Sequence, residues 1–413
     1  MAGARHGAFH PLRVASVDRL TDDAVALTLT VPEELRTTFR YAPGQHVAVR
    51  LFVDDAEVRR TYSICAPVTD PDGPRSLRVG VRRVEGGEFS TYALKELSVG
   101  DTVDVMAPAG RFVLEPRAGR FAAVVGGSGI TPVLSIAATL LARRTDASFC
   151  LIRSDRTAAS TMFLEEVADL KDRYPDRFHL VHALSREEQQ AGLASGRLDE
   201  ERLSSLLPAL LPVAEVDGWF LCGPYGLVRS AERALRGLGV DRRRVHQEIF
   251  HVDDGTAAAP LEGTATTAGT TAGTGTGTGT GTTTATGIGT TATGTGGSAT
   301  AAGATAAGPA AAAQASGGPA AARSSVTAKL DGRSGDWPVL EGESLLDAVL
   351  RNRADAPYAC KGGVCGTCRA FLVSGEVRMD RNFALEPEEV ESGYVLACQS
   401  HPVTERVELD FDR

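Results

Sequence analysis

The spacing C-x4-C-x2-C formed by Cys360, Cys365 and Cys368, completed by Cys398 after 29 intervening residues, constrains this chain more than any other feature. Four thiolates so placed match the ligand pattern of a plant-type 2Fe-2S cluster. Glycines at 362, 363 and 366 suit a loop that must enter positive φ and bring N–H groups within reach of sulfur. A disulfide knot and a zinc site are the other readings of four cysteines. Zinc sites favour paired C-x2-C elements, and this chain has one such pair and a lone distant partner. A one-electron centre near the C-terminus requires something upstream to feed it.

At 413 residues the chain has room for two or three domains with separate cores. A net charge of −9 argues against nucleic acid as a partner. The sequence contains neither an apolar run of membrane-spanning length nor an N-terminal charged-then-apolar signal, so the expectation is a cytoplasmic protein without a membrane partner. Cys65, Cys150 and Cys222 remain outside the cluster pattern, an odd remainder that fits a reducing compartment.

Residues 8–115 are read as a small antiparallel β-barrel. Short apolar or alternating runs at Ala24–Thr30, His46–Phe52, Leu77–Val84 and Thr102–Met106 are separated by Gly- and Pro-containing turns. Within it, Arg60 and Tyr62 share one face of a strand that ends in Ser63, so a guanidinium can hold a phosphate while a ring packs on a flat cofactor. The plainer reading is a surface ladder. Gly86-Gly87 followed by Ser90-Thr91 precedes a helical pattern at Tyr92–Leu97, which places a hydroxyl at a helix start where an anion can sit. An ordinary capped helix is the plainer reading there.

Residues 116–255 are read as a doubly wound α/β domain. Phe121–Val125 is a continuous apolar run, as a buried parallel strand requires, and Gly126-Gly127-Ser128-Gly129-Ile130-Thr131-Pro132 leads from it into a helix through Leu141. Such a glycine loop is a phosphate cradle, although it is not the G-x-G-x-x-G fingerprint. Arg153 and Arg156 follow the strand Ser148–Ile152 and, with nearby hydroxyls, suit a 2′-phosphate, hence NADPH, with NADH also possible. A helix is expected over Thr161–Asp172. A further apolar strand, Gly218–Leu221, ends in Cys222-Gly223-Pro224 before a helix to Gly237, and the domain closes through Glu248 and Phe250. Cys222 is equally readable as a small buried apolar residue.

Residues 256–323 are Thr, Gly and Ala almost throughout, with strict Gly-Thr alternation from Gly273 to Thr282. A stretch with so little to bury is read as a disordered tether, whose 68 residues would have a root-mean-square span of roughly 45 Å. Repetitive β structure is the alternative. Residues 324–413 read as a compact α+β module with 16 acidic and 10 basic residues, which suits docking by charge as well as solubility.

Taken together, residues 8–254 and 324–413 resemble the ferredoxin-NADP reductase superfamily carrying a C-terminal plant-type ferredoxin module. The resemblance implies an FAD barrel, an NAD(P) domain and a β-grasp ferredoxin domain. It implies that Arg60, Tyr62 and Ser63 hold FAD, that Gly87 and Ser90 meet its diphosphate, and that Gly127, Gly129 and Thr131 receive the nicotinamide nucleotide with Arg156. Cys222, Gly223 and Pro224 would lie beside the nicotinamide, Glu248 and Phe250 beside the flavin ring, with Ser63, Cys222 and Glu248 as the catalytic group. The family carries Asn before the arginine where this chain has Asp155 before Arg156, and its linker is shorter.

Phe9-His10-Pro11-Leu12, the loop Lys361–Cys368, Met379–Leu385 and Gly393–Pro402 narrow the resemblance to reductase subunits of the phenylacetyl-CoA epoxidase kind. The implied partner is an oxygenase component, the di-iron hydroxylase of such an epoxidase. Reductases of Rieske-type steroid or aromatic-ring oxygenases share the domain order. An iron–sulfur redox sensor or scaffold is the non-enzymatic alternative.

Overall fold

Alternation dictates the first strand, because Leu12 and Val14 are buried while Pro11, Arg13 and Ala15 face solvent. The computed structural model describes residues 8–53, 56–187, 195–251 and 324–413. The strands β1 (Phe9–Thr21), β2 (Ala24–Thr30), β3 (His46–Val53), β4 (Ala56–Ser63), β5 (Ser76–Arg82) and β6 (Thr102–Met106) form a six-stranded sheet in the order β4-β3-β6-β1-β2-β5. Every pairing is antiparallel. A bridge between Ile64 and Val79 and the bond from Cys65 N to the Arg78 carbonyl (2.9 Å) join the two edge strands. The barrel therefore closes and leaves fewer unpaired edges.

Helix α1 (Glu88–Lys95) starts four residues before the expected pattern at Tyr92. Gly87 is its N-cap, so Ser90 lies inside the first turn rather than at its start. Its hydroxyl donates to the Gly87 carbonyl (3.2 Å) and accepts from Val84 N (3.1 Å).

The second unit comprises β7 (Gly119–Gly126), α2 (Ile130–Arg143), β8 (Ala147–Asp155), α3 (Leu164–Arg173), β9 (Phe178–Leu184), α4 (Glu200–Leu210), β10 (Gly218–Pro224), α5 (Tyr225–Gly237) and β11 (Val245–His251). Its sheet order is β11-β10-β7-β8-β9, parallel throughout. Buried Phe121, Phe149, Phe178 and Phe220 anchor one face, each side chain stabilising the fold by about 1.5–3 kcal/mol relative to exposure. That core also takes in Ala24, Ala26 and Cys65 of the barrel, so the two units share apolar packing. Helix α3 begins later than expected at Thr161, because Thr157–Ser160 close a capped 3-10 turn and Phe163 takes φ 54°. Helix α4, unforeseen, is capped by Asp199, which accepts from Arg202 N.

The third unit is built from β12 (Ser324–Leu330), β13 (Arg333–Val339), α6 (Leu345–Leu350), β14 (Arg369–Ser374), β15 (Val377–Met379), α7 (Pro387–Glu391), β16 (Tyr394–Leu396), β17 (Ser400–Pro402) and β18 (Arg406–Asp410). Its main sheet runs β13-β12-β18-β14-β16, with β12 and β18 parallel at the centre and the other neighbours antiparallel. This is the β-grasp arrangement with α6 across it. Ser344 caps that helix by accepting from Asp347 N (3.2 Å). Residues 256–323, read above as a tether, lie outside the described residues. Among the described residues no helix is long and apolar enough to cross a membrane.

Candidate functional site

The four cysteines of the opening motif influence one another's titration, most strongly Cys360 with Cys365 and Cys368 with Cys398. Among the described residues no three His, Cys, Asp or Glu side chains group as a site for a single ion, and no two cysteines are joined as a disulfide. Four thiols are the donor set that two irons require. The loop is shaped for such a group by Lys361 (φ 51°), Gly363 (φ 76°) and Gly366 (φ 69°). Gly362 is not among the left-handed residues. It contributes its N–H, 3.3 Å from the Cys360 sulfur, and Gln399 Nε2 lies 3.7 Å from the Cys398 sulfur. The Cys365 thiol, followed by backbone N–H groups of the loop, pulls Cys360 below the ordinary thiol range. Donors aimed at sulfur favour thiolate, which fits a cluster.

The expected catalytic residues come together through His46, a residue that no sequence motif marks. Ser63, at the end of β4, is paired in register with His46, the first residue of β3. Glu248 on β11 is in register with Cys222 on β10. His46 Nδ1 approaches Glu248 Oε1 at 3.7 Å, and so links the barrel pair to the sheet pair. Cys222 is fully buried, and burial, with the Glu248 carboxylate adding, pushes its thiol well above the ordinary range. It therefore sits as a neutral apolar group.

A cleft of about 930 Å³ opens beside this group and touches all three units. His46, Gly110 and Phe112 line it from the barrel side, His246 and Glu248 from β11, and Cys365 from the cluster loop. His46 Nε2, Gln247 Oε1 and Glu248 Oε2 are buried and have no hydrogen-bond partner among the described residues. Such atoms are costly to leave unpaired and fit a polar cofactor edge.

The remaining flavin candidates lie on β4 and α1. Arg60 Nη2 bonds Glu88 Oε2 (3.0 Å), which brings the guanidinium to the helix start that contains Gly87 and Ser90. Tyr62 is half-buried against Phe89, their ring centres 5.3 Å apart. Phe250 packs on the core shared by barrel and sheet.

The nucleotide candidates form a cradle at the C-terminal strand edge. Gly127 has φ 54° and Gly223 φ 138°. A Cβ on Gly129 would lie 2.3 Å from the Cys222 carbonyl oxygen, so only glycine lets this loop approach β10. Thr131 is buried, its hydroxyl donating to the Ser128 carbonyl (2.9 Å), so it braces the loop instead of facing solvent. Pro224 is exposed and precedes α5 as its N-cap.

The structure corrects the expectation of two arginines at the 2′-phosphate position. Arg153 is 1% exposed and is paired with Asp155 at 2.8 Å. Residues two apart on β8 share a face, and this face points inward. His182 Nε2 contacts the same carboxylate at 2.9 Å. Burial raises Asp155, but the hydrogen bond with His182 and the charge and hydrogen bond of Arg153 outweigh it and leave the carboxyl below its ordinary value. Arg156 alone remains exposed.

Comparison with known proteins agrees with the three-unit fold. Residues 11–114 match the oxidoreductase FAD-binding domain, residues 124–233 the oxidoreductase NAD-binding domain and residues 329–403 the 2Fe-2S iron-sulfur cluster binding domain. The chain is 37% identical over 408 residues, 98% of each chain, to a subunit of the 1,2-phenylacetyl-CoA epoxidase of Escherichia coli (strain K12). The chain belongs to the ferredoxin-NADP reductase-like family with a C-terminal 2Fe-2S domain. This reductase is also 30% identical to the ferredoxin reductase component of 3-ketosteroid-9-alpha-monooxygenase from Rhodococcus rhodochrous, over 97% of the chain and 96% of that protein. Its fold matches that of phthalate dioxygenase reductase with a TM-score of 0.53 at 22% identity, covering 98% of both chains. The reductase is thus an oxidoreductase with FAD, NAD and 2Fe-2S domains. The sequence alone does not mark His46, Gln247 or Arg111. The only available signal for His46 is its position after the turn Pro43-Gly44-Gln45.

Proposed function

We propose that the reductase takes hydride from NADPH onto FAD and passes single electrons through the 2Fe-2S centre to the di-iron hydroxylase of a phenylacetyl-CoA epoxidase. The observation that carries this reading is a single cleft with Glu248 on one wall and Cys365 on another. It occurs in a chain that matches an epoxidase subunit over nearly its whole length. FAD, when bound, exchanges two electrons with a nicotinamide and one at a time with an iron–sulfur centre, and so belongs between them.

The protein's own residues supply position. Arg60, Gly87 and Ser90 hold the flavin diphosphate, and Tyr62 and Phe250 confine its ring. His46 packs beside Glu248, which lines the place where nicotinamide and flavin meet, with Ser63 and the buried Cys222 next to the pair. Gly127, Gly129, Thr131, Gly223 and Pro224 shape the nucleotide cradle. Cys360, Cys365, Cys368 and Cys398 ligate the cluster. The inward turn of Asp155 supports NADPH, because the carboxylate next to Arg156 is spent on Arg153 and His182 and does not repel a 2′-phosphate.

A Rieske-type acceptor is the second reading, favoured by the relative from the ketosteroid monooxygenase. The deciding experiment adds the di-iron hydroxylase subunits or a Rieske oxygenase to the purified holoprotein with NADPH. NADPH consumption that depends on phenylacetyl-CoA supports the first reading. Turnover with the Rieske protein alone overturns it.

A further inference from the structure

The ferredoxin unit meets the rest of the chain through a mixed apolar and ionic contact. Cys365 packs among Phe9, Ala48, Met106 and Ala359, so the cluster loop is pressed on the barrel. Phe383 stands edge-on to Tyr225 of the nucleotide unit, 5.7 Å between ring centres. Around these, the N-cap carboxylate of α7 and one carboxylate within it are paired with arginines from different places. Glu386 pairs with Arg242, in the 3-10 turn that leads into β11, and Glu389 pairs with Arg111 from the loop after β6. Arg111 also donates to the Ala384 carbonyl (3.3 Å). On the far side Arg59, 4% exposed, lies 3.9 Å from the centre of the Tyr358 ring and donates to the Ala354 carbonyl (3.4 Å).

Apolar contact is non-directional and does not by itself fix how the module sits. Directional charge pairs at two separated points do. We propose that Arg111 and Arg242 are positioning residues that clamp Glu389 and Glu386 and thereby hold the ferredoxin module where Cys365 meets the cleft. The inference rests on the reading that the cluster is loaded through this cleft. It adds that charge, and not apolar contact alone, sets how often the loading pose is occupied. Because the pairs are only partly buried, concentrated salt should compete with them.

The test uses the full-length holoprotein and Arg242→Glu. In this variant amide hydrogen exchange over 383–391 should accelerate, whether or not cofactors are loaded. After mixing with NADPH, bleaching of the cluster should slow by about two- to fivefold, the change expected when a docking equilibrium loses one part-exposed ion pair. Flavin bleaching should be unchanged. The charge swap Arg242→Glu with Glu386→Arg should restore both exchange and cluster bleaching, which excludes simple misfolding. In the wild type, rising salt should slow cluster bleaching and leave flavin bleaching alone. Unchanged exchange and bleaching in Arg242→Glu, no recovery in the swap, or insensitivity to salt would each overturn the clamp. A wild-type holoprotein whose flavin fails to bleach would instead sink the parent reading, and the exchange measurement would still decide the clamp.

Discussion

His46 and Glu248, contributed by the barrel and by the last strand of the nucleotide unit, meet at 3.7 Å with the outer atom of each buried and without a hydrogen-bond partner among the described residues. At this distance the ring and the carboxylate are neighbours rather than a hydrogen-bonded pair, and both present a polar atom to the cleft. Leaving such atoms without partners costs about 1–3 kcal/mol each, so a cofactor that satisfies them is bound more tightly for doing so. His46→Ala should weaken FAD retention and lower the thermal midpoint of the holoprotein more than that of the flavin-free protein. Equal shifts in both forms, measured by calorimetry, would mean that the pair serves the fold alone.

The glycine loop makes a steric prediction. In Gly129→Ala the new methyl would lie 2.3 Å from a backbone oxygen that has no room to retreat, whereas at Gly226 nothing stands within 4 Å. Gly129→Ala should raise the KM for NADPH by at least about tenfold, a displacement costing about 1.4 kcal/mol or more. Gly226→Ala, in helix α5, should keep normal kinetics and be neutral or slightly more stable. Steady-state assays with ferricyanide as acceptor decide between them.

Coenzyme choice should follow Arg156 and not its neighbour. Arg156→Ala should raise the KM for NADPH about ten- to a hundredfold, the value of a lost charge-assisted contact, and leave NADH nearly unaffected. Asp155→Asn should leave the NADPH:NADH ratio alone and reduce stability. The depressed carboxyl contributes stability that is present above its ordinary value near 3.8 and is lost as pH falls through the lower folded value. The stability gap between wild type and Asp155→Asn should therefore be full at neutral pH and close in strongly acidic buffer, as urea midpoints across pH would show.

Thiol chemistry separates the two classes of cysteine. Burial pushes Cys65 up to about 12 and Cys150 up to about 11, and Cys222 well above its ordinary value. None of the three should react with iodoacetamide near pH 8 until the protein unfolds, because the thiolate is the nucleophile. Cys365→Ser should retain reduction of ferricyanide by NADPH and lose reduction of cytochrome c. Equal loss of both activities would place the cluster elsewhere in the path.

Much of the site is legible in the sequence because its information is local. Cysteine spacing, glycine runs after an apolar strand, and Gly223 before a helix each specify geometry within a few residues, and the strands Ala24–Thr30 and Thr102–Met106 have the ends that their patterns predict. The start of α1 differs from its pattern because a glycine without a side chain can begin a helix as well as a serine, and only the backbone path shows which does.

By itself, then, the amino-acid order determined the modules and their order, since periodicity and spacing act between near neighbours in the chain. Tertiary structure alone decided that Arg153 turns inward while Arg156 stays out, that His46 joins Ser63 to Glu248, and that Arg111 and Arg242 meet α7. Those outcomes depend on strand register and on packing between residues far apart in sequence, where the energy of a contact exists only once the folded surfaces have been brought together.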